Sequence, residues 1–162
     1  MPSLLAPAAR LHDAFLQAHH EWGPGPHEDG FGLTPTDDVE TAAGFAAWVS
    51  RLTRAEDPAA SSSPCTYRWL VEGTAVLGGI ALRHHLDEAL GQIGFGVRPS
   101  ARRRGLATWA LTETLGEARA RGLTRVLLVC SADNPASART ILRCGGVLDP
   151  APGPTRRYWI AL

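Results

Sequence analysis

The sequence contains no lysine: all 16 basic side chains are arginine, and 16 acidic ones balance them to a formal charge of +0. A Walker-type phosphate loop needs its lysine, so that loop is excluded. Charge balance and a pI near 7.0 give no support to a general nucleic-acid surface, although Arg98 to Arg104 is locally basic. Cysteine is scarce. Cys65, Cys130 and Cys144 are an odd number without metal-like spacing, and they read as reduced thiols of a cytoplasmic protein. No apolar run is long enough to cross a membrane. Met1 to Leu16 lacks a basic leader ahead of an apolar core, so no secretory signal is expected. Repeats and low-complexity tracts are missing too. The expectation is one domain over residues 1–162, in which 44% hydrophobic residues can build a core. Abundant Ala, Arg, Gly and Pro with no Lys fit a GC-rich bacterial genome.

The informative stretch is Gly91 to Thr108. Ile93, Phe95 and Val97 alternate with small residues, a strand pattern. Pro99 ends it, having no amide to donate and disfavouring helix at Arg98. Arg102 to Gly105 is a short basic loop, and an amphipathic run starts at Leu106. Strand, basic glycine-bearing loop and helix start together suit a phosphate. The first helical amides have no partner within the helix, the helix dipole adds positive potential, and Gly105 lets backbone approach closely. A dinucleotide fingerprint is excluded: Gly94 and Gly96 have the first spacing, but Pro99 stands where the third glycine belongs.

Along the rest of the chain, Ser3 to Pro7 reads as a short strand and Ala8 to Trp22 as a helix. Gly23 to Pro35 is a long glycine- and proline-bearing loop. Thr36 caps a second helix running to about Arg54, with Phe45, Trp48, Val49 and Leu52 buried. Tyr67–Val71 and Ala75–Leu82 form a hairpin. Arg83 to Leu90 is a loop that carries His84, His85, Asp87 and Glu88. After the basic loop come a helix from Leu106 to about Arg121, an apolar strand Arg125–Ser131 and a helix from Pro135 to about Cys144 capped by Asn134. A short strand at Val147-Leu148 and a last strand Arg157–Leu162 complete the chain.

Arg102-x-x-Gly105-x-Ala107 resembles the pyrophosphate loop of the GNAT superfamily of acetyltransferases. Asn134-Pro-Ala-Ser137-Ala-Arg-Thr-Ile141 resembles that family's second signature, and the element order from Tyr67 to Leu162 follows the family throughout. The first half matches in outline only. The resemblance implies an α/β GNAT fold. Its mixed, twisted sheet has about six to seven strands flanked by about four helices, and it splays between the fourth and fifth strands to admit an acyl-CoA. It implies acetyl-CoA, or another acyl-CoA, as co-substrate and no metal. It also places the pantetheine arm on Phe95, Gly96 and Val97. The pyrophosphate would sit on Arg102, Arg103, Arg104, Gly105, Leu106, Ala107 and Thr108, with Asn134 and Ser137 on the facing helix.

The implied activity is acyl transfer, most simply acetyl, to a primary amine of a small molecule or peptide by direct attack in a ternary complex. Two positions depart from the family pattern. Gln92 stands where many members place a glutamate base, and Ile141 where a tyrosine protonates the leaving thiolate. Candidate substitutes are His84 and His85, whose pKa range suits a base, with Asp87, Glu88, Tyr158 and Cys144 behind them. Rival readings are an acyl-CoA-binding sensor and a transferase with a carrier- or tRNA-bound donor. Trp22, Phe31 and Trp48 either line an acceptor pocket or are core. The expected partner is the amine acceptor, with nucleic acid unexpected and no membrane. The protein is a monomer or homodimer, in which the C-terminal strand is a candidate for pairing with a second subunit.

Overall fold

The computed structural model describes residues 1–23 and 30–162, so the middle of the Gly23 to Pro35 loop lies outside the described residues. The elements in order are β1 (Ser3–Leu5), α1 (His12–Trp22), α2 (Ala42–Arg54), β2 (Cys65–Glu72), β3 (Ala75–Arg83) and β4 (Ile93–Val97). They continue with α3 (Leu106–Ala120), β5 (Arg125–Ser131), α4 (Pro135–Arg143), β6 (Val147–Asp149) and β7 (Thr155–Ala161). Four strands form one antiparallel sheet in the order β1-β2-β3-β4, and three form another in the order β5-β7-β6. The seven strands and four helices expected from sequence are present, and the sheet divides at β4 and β5, the expected place.

A sheet covered on both faces needs apolar residues on both. Trp69, Val71 and Val76 enter a core beneath α1 and α2. Leu70, Ile80, Leu82 and Ile93 enter the opposite one, with Leu106, Ala110, Leu111 and Leu115 of α3. The first core is aromatic. Phe15 contacts Phe31, Phe45, Trp48 and Trp69 at ring-centroid distances from 4.8 to 5.6 Å. Phe31 and Trp48 are therefore core, each 1% exposed.

Two local expectations are corrected. The second helix starts at Ala42 rather than after Thr36, because Thr41 is its cap and accepts from the Gly44 amide at 3.1 Å. Asp37 is occupied by the Thr34 amide and by Arg51, and Asp38 by the Thr41 hydroxyl, so both carboxylates close a turn ahead of the helix. The C-terminal strand is not an edge. β7 is hydrogen-bonded to β5 on one side and β6 on the other, which leaves it no free edge for another subunit.

β4 and β5 meet at one end only. The Gln92 amide donates to Leu127 O at 2.6 Å, the Leu127 amide donates back to Gln92 Oε1 at 3.3 Å, and Gly91 bridges Leu128. Gly91 has φ +75°, and a Cβ there would meet Leu127 O at 2.8 Å, so the junction requires glycine. Beyond Gln92 no ladder joins the two strands.

Candidate active site

Each sheet ends in a strand that faces the gap: β4 is the last strand of one and β5 the first of the other. Half of an edge strand's backbone groups lack a ladder partner. The gap therefore presents unpaired N–H and C=O groups on both walls. Its inner end is a cavity of about 190 Å³ between Ile93, Gly94 and Phe95 on one side and Val129, Cys130 and Ser131 on the other, with Asn134, Ser137 and Ile141 above. It opens past Phe95, Asn134 and Ser137 into a cleft of about 740 Å³.

The phosphate loop forms one bank of that cleft. A 3-10 turn over Pro99–Ala101 leads out of β4, and Arg102 Nε donates back to Val97 O at 2.9 Å, folding the loop against its own strand. Arg103 then takes φ +60° and Gly105 φ +77°. A left-handed arginine costs on the order of 1 kcal/mol, so its surroundings hold it there. Gly105 is the N-cap of α3, and no side chain caps that helix. By contrast, Thr41 caps α2 and Asn134 caps α4. The first turn of α3, Leu106, Ala107 and Thr108, lines the cleft with its amides uncapped, and a Cβ on Gly105 would meet nothing within 4 Å. Uncapped amides at a helix start, beside arginines, suit a phosphate.

Phe95, Gly96, Val97, Arg102, Arg103, Gly105, Leu106, Ala107, Thr108, Asn134 and Ser137 all line the cleft together. Arg104 does not. Its guanidinium pairs with Glu72 at 2.7 Å, which turns it away from the loop's concave side. Asn134 Oδ1 accepts from the Ser137 amide at 3.1 Å, leaving its Nδ2 as the end able to donate into the cavity. The other bank includes residues the sequence reading did not assign: Arg139, Thr140 and Arg143 of α4. Their signal was the i, i+4 spacing of two arginines on a helix started by Asn134.

A family description of an acetyltransferase (GNAT) domain matches residues 6–147. The chain belongs to the GNAT acetyltransferase family. No curated protein matches it in sequence. Solved structures share the fold. The microcin C7 self-immunity acetyltransferase MccE, in complex with acetyl-CoA and AMP, is 16% identical with a TM-score of 0.72, over 99% of this chain and 92% of that one. RimL, a ribosomal L7/L12 alpha-N-protein acetyltransferase in complex with coenzyme A, is 14% identical with a TM-score of 0.71, over 99% and 94%. The ribosomal-protein-S5-alanine acetyltransferase of Vibrio fischeri is 14% identical with a TM-score of 0.72, over 99% and 91%.

The two departures from the GNAT pattern have structural explanations. Gln92 is 4% exposed, and its side chain is spent on the β4–β5 junction. A glutamate would keep an acceptor there but bury its charge. Ile141 is 1% exposed and forms an apolar wall of the inner cavity, beneath Gly146. The histidines proposed to compensate are not brought to the gap. His84 Nε2 is 2.8 Å from the Thr66 hydroxyl, which also accepts from Arg121 at the C-terminal end of α3. That end is a helix length away from the phosphate loop. Burial, then the Arg121 charge, lowers the His84 pKa below its ordinary value. His85 is exposed in the same bend, and neither ring lines the cavity.

The other named substitutes are engaged too. Asp87 accepts from the Ala89 and Leu90 amides, Glu88 pairs with Arg157 at 2.6 Å, Tyr158 is 5% exposed in the core, and Cys144 rests on Thr108 O. Among the described residues lining the inner cavity, Cys130 is the one ionisable side chain, and burial raises its pKa.

Proposed function

We propose that this acetyltransferase moves an acyl group, most simply acetyl, from a CoA thioester to a primary amine by direct attack within a ternary complex. The observation that carries the reading is the gap between two edge strands that opens onto an uncapped helix start. The gap offers backbone partners for an extended amide-bearing arm, and the helix start offers amides for its phosphates. When bound, the thioester supplies the acyl group and the leaving thiol. Phe95, Gly96 and Val97 hold the arm through backbone groups on the open side of β4, and a backbone amide there polarises the acyl carbonyl. Asn134 donates to the arm from α4. The loop Arg102–Gly105 and the first turn of α3 bind the pyrophosphate.

No carboxylate or imidazole among the described residues lines the inner cavity. The amine therefore arrives neutral or gives its proton to water, and positioning supplies much of the rate. Cys130 is held as a thiol by burial, which favours direct transfer over an acyl-cysteine route. After incubation with acetyl-CoA and no acceptor, mass spectrometry is expected to find no stable adduct on Cys130 or Cys144. A stoichiometric one would replace direct transfer with a two-step reaction.

The solved structures named for ribosomal proteins, one of them an alpha-N-protein acetyltransferase, support an amine acceptor on a peptide. The one named for microcin C7 immunity leaves a small molecule equally open. The deciding experiment screens a panel of amines and peptide N-termini for thiol release from acetyl-CoA. Release with none of them, despite CoA binding, would make the protein a binding module.

A further inference from the structure

The inner cavity has two faces, and they are furnished differently. On one, α4 closes it with Asn134, Ser137 and Ile141, and there it opens towards the uncapped start of α3. Alternate residues of a strand point to opposite faces of its sheet. Val126 and Leu128 of β5 and Ile93 of β4 belong to the core with α3, and Cys130 and Phe95 pack against it. Leu127, Val129 and Ser131 therefore point to the other face, where β4 presents Gly94, which has no side chain. The core beneath α1 and α2 takes its strand residues from β1, β2 and β3, so the far face of β5 is not under those helices. On the reading above, the donor's phosphates occupy the α3–α4 face. The acceptor then reaches the acyl group from the face of Ser131.

Two segments border the gap on that face. On the β4 side lies Gly30-Phe31-Gly32. Gly30 has φ +123°, and a Cβ there would strike Gly79 O and come within 3.0 Å of Phe95 Cα, so its backbone rests directly on β3 and β4. Phe31 is anchored in the aromatic core, and Gly32 O accepts from Arg51 at 3.0 Å. On the β5 side stands Ser131, which lines the inner cavity and is exposed. Its Oγ accepts from the Asp133 amide at 3.3 Å, its C=O accepts from the Asn134 amide at 3.0 Å, and the Ala132 amide donates to Pro154 O at 3.0 Å. These bonds hold the hydroxyl in place and tie it to the residue that caps α4. A serine hydroxyl has one proton to donate and two lone pairs. Here the proton and one lone pair have no partner among the described residues. Of the described residues lining the inner cavity, Ser131 is the one with a polar side chain on the face away from α4.

Resting on the acyl-transfer reading above, we infer that Ser131 receives the acceptor amine. Its Oγ accepts a hydrogen bond from the amine N–H and aims the nitrogen lone pair at the acyl carbon. The lone pair forms the C–N bond, and the C–S electron pair leaves with the thiolate. The surplus proton on nitrogen passes to the Ser131 oxygen as the serine's own proton passes to water, and the thiolate takes a proton from water. A serine hydroxyl does not ionise near neutral pH, so Ser131 orients and relays rather than titrating. The pH dependence of the reaction then follows the ionisation of the amine. Asn134 serves the donor from α4 and Ser131 the acceptor from the opposite face, so the single turn Ser131–Asn134 sets their separation.

The test uses the amine identified by the screen and reads donor and acceptor separately. Ser131→Ala is expected to lower kcat/KM for the amine about a hundredfold, the low end for a proton-transferring group. Its affinity for CoA, measured by calorimetry, should stay within about twofold of wild type, because the donor's contacts are untouched. Ser131→Thr keeps the hydroxyl and suits a strand, so it should retain kcat/KM within a few-fold. The position is exposed, so both variants are expected to fold, with circular dichroism as the check. The pH profile of Ser131→Ala should keep the wild-type shape at its lower level. A rate for Ser131→Ala within about threefold of wild type overturns the assignment. So does a parallel loss of CoA affinity, a lost titration limb, or Ser131→Thr as slow as Ser131→Ala. If wild type binds CoA yet releases thiol with no amine, the transfer reading itself fails and takes this role with it.

Discussion

The two sides of the sheet are built on opposite principles. Under α1 and α2, aromatic rings close on one another, and polar groups at the margin are matched: Arg51 with Asp37, and His20 Nε2 with Glu40 Oε1. On the side of α3 and α4, the cleft has an uncapped helix, two edge strands and three arginines without acids among the described residues. Ion pairs are closed where the fold is held, although the buried Trp69 Nε1 has no hydrogen-bond partner there, and interactions are left open where the donor binds. The two sides should therefore respond differently to substitution.

The largest effect is expected in the aromatic core. Trp48 is 1% exposed and touches the rings of Phe15, Phe45 and Trp69. Trp48→Ala should cost about 3–5 kcal/mol in denaturant unfolding, by lost burial and a cavity. Below its lowered melting temperature the variant should still bind CoA, since no Trp48 atom lines the cleft. Gly105→Glu should do the reverse. Its side chain enters open space, and the left-handed φ costs unfolding stability only about 1 kcal/mol. A carboxylate at the N-cap of α3, however, opposes a phosphate sterically and by charge, so the thermal shift induced by CoA should disappear. A CoA shift kept by Gly105→Glu, or lost in folded Trp48→Ala, would break the comparison.

Glu21 joins the two sides and should give an intermediate effect. It ends α1, accepts from Arg98 Nε at 2.6 Å and from the Ser100 hydroxyl at 3.0 Å, and so ties the helical cap to the start of the phosphate loop. Glu21→Ala leaves the largely buried Arg98 without its counter-charge, which should cost about 1–3 kcal/mol and raise KM for the acyl donor more than it lowers kcat. Burial would raise the Glu21 carboxyl, but hydrogen bonds from the Ser100 amide, Arg98 and the Ser100 hydroxyl outweigh it, and the pKa falls below the ordinary 4.5. A depressed carboxylate stabilises the fold above its unfolded pKa, and the contribution is lost as pH falls from about 4.5 through the folded value. Glu21→Gln should flatten that acid limb of the stability curve.

The donor side was legible in the sequence because its chemistry is local. A strand end, a glycine that must turn left-handed and a helix start follow one another within Gly91 to Thr108, and Asn134 announces its helix by capping it. What escaped reading depends on contacts across long separations. Arg104 looks like its neighbours until Glu72, on another strand, claims it. Arg139 and Arg143 become cleft residues only because Cys144 docks on α3. Gln92 reads as a failed base, yet its amide partner Leu127 is distant in sequence. Thr36 reads as the cap from its local sequence, but the cap is Thr41, whose hydroxyl is held by Asp38.

His84 should give the smallest effect and the sharpest test of where proton chemistry happens. Sequence proximity to the donor strand made it a candidate base, whereas the fold places its ring on Thr66 beside Arg121, at the end of α3 opposite the phosphate loop. Burial first, and the Arg121 charge second, lower its pKa below 6.5, so the folded state favours the neutral ring. That preference is fully present above the unfolded value near 6.5, and is lost as pH falls from there through the folded value, because the unfolded chain takes up the proton first. His84→Gln keeps a group able to bond Thr66 and removes the titration. Its unfolding free energy should be flatter than wild type just below pH 6.5. Its kcat/KM profile, measured with an acceptor identified by the amine screen, should follow wild type within a few-fold at every pH. Loss of a histidine-like limb from that rate profile, together with a drop of about a hundredfold, would return the ring to the reaction as a general base. Such a result would require the acceptor to be reached from the far end of α3, which the cleft described here does not extend to.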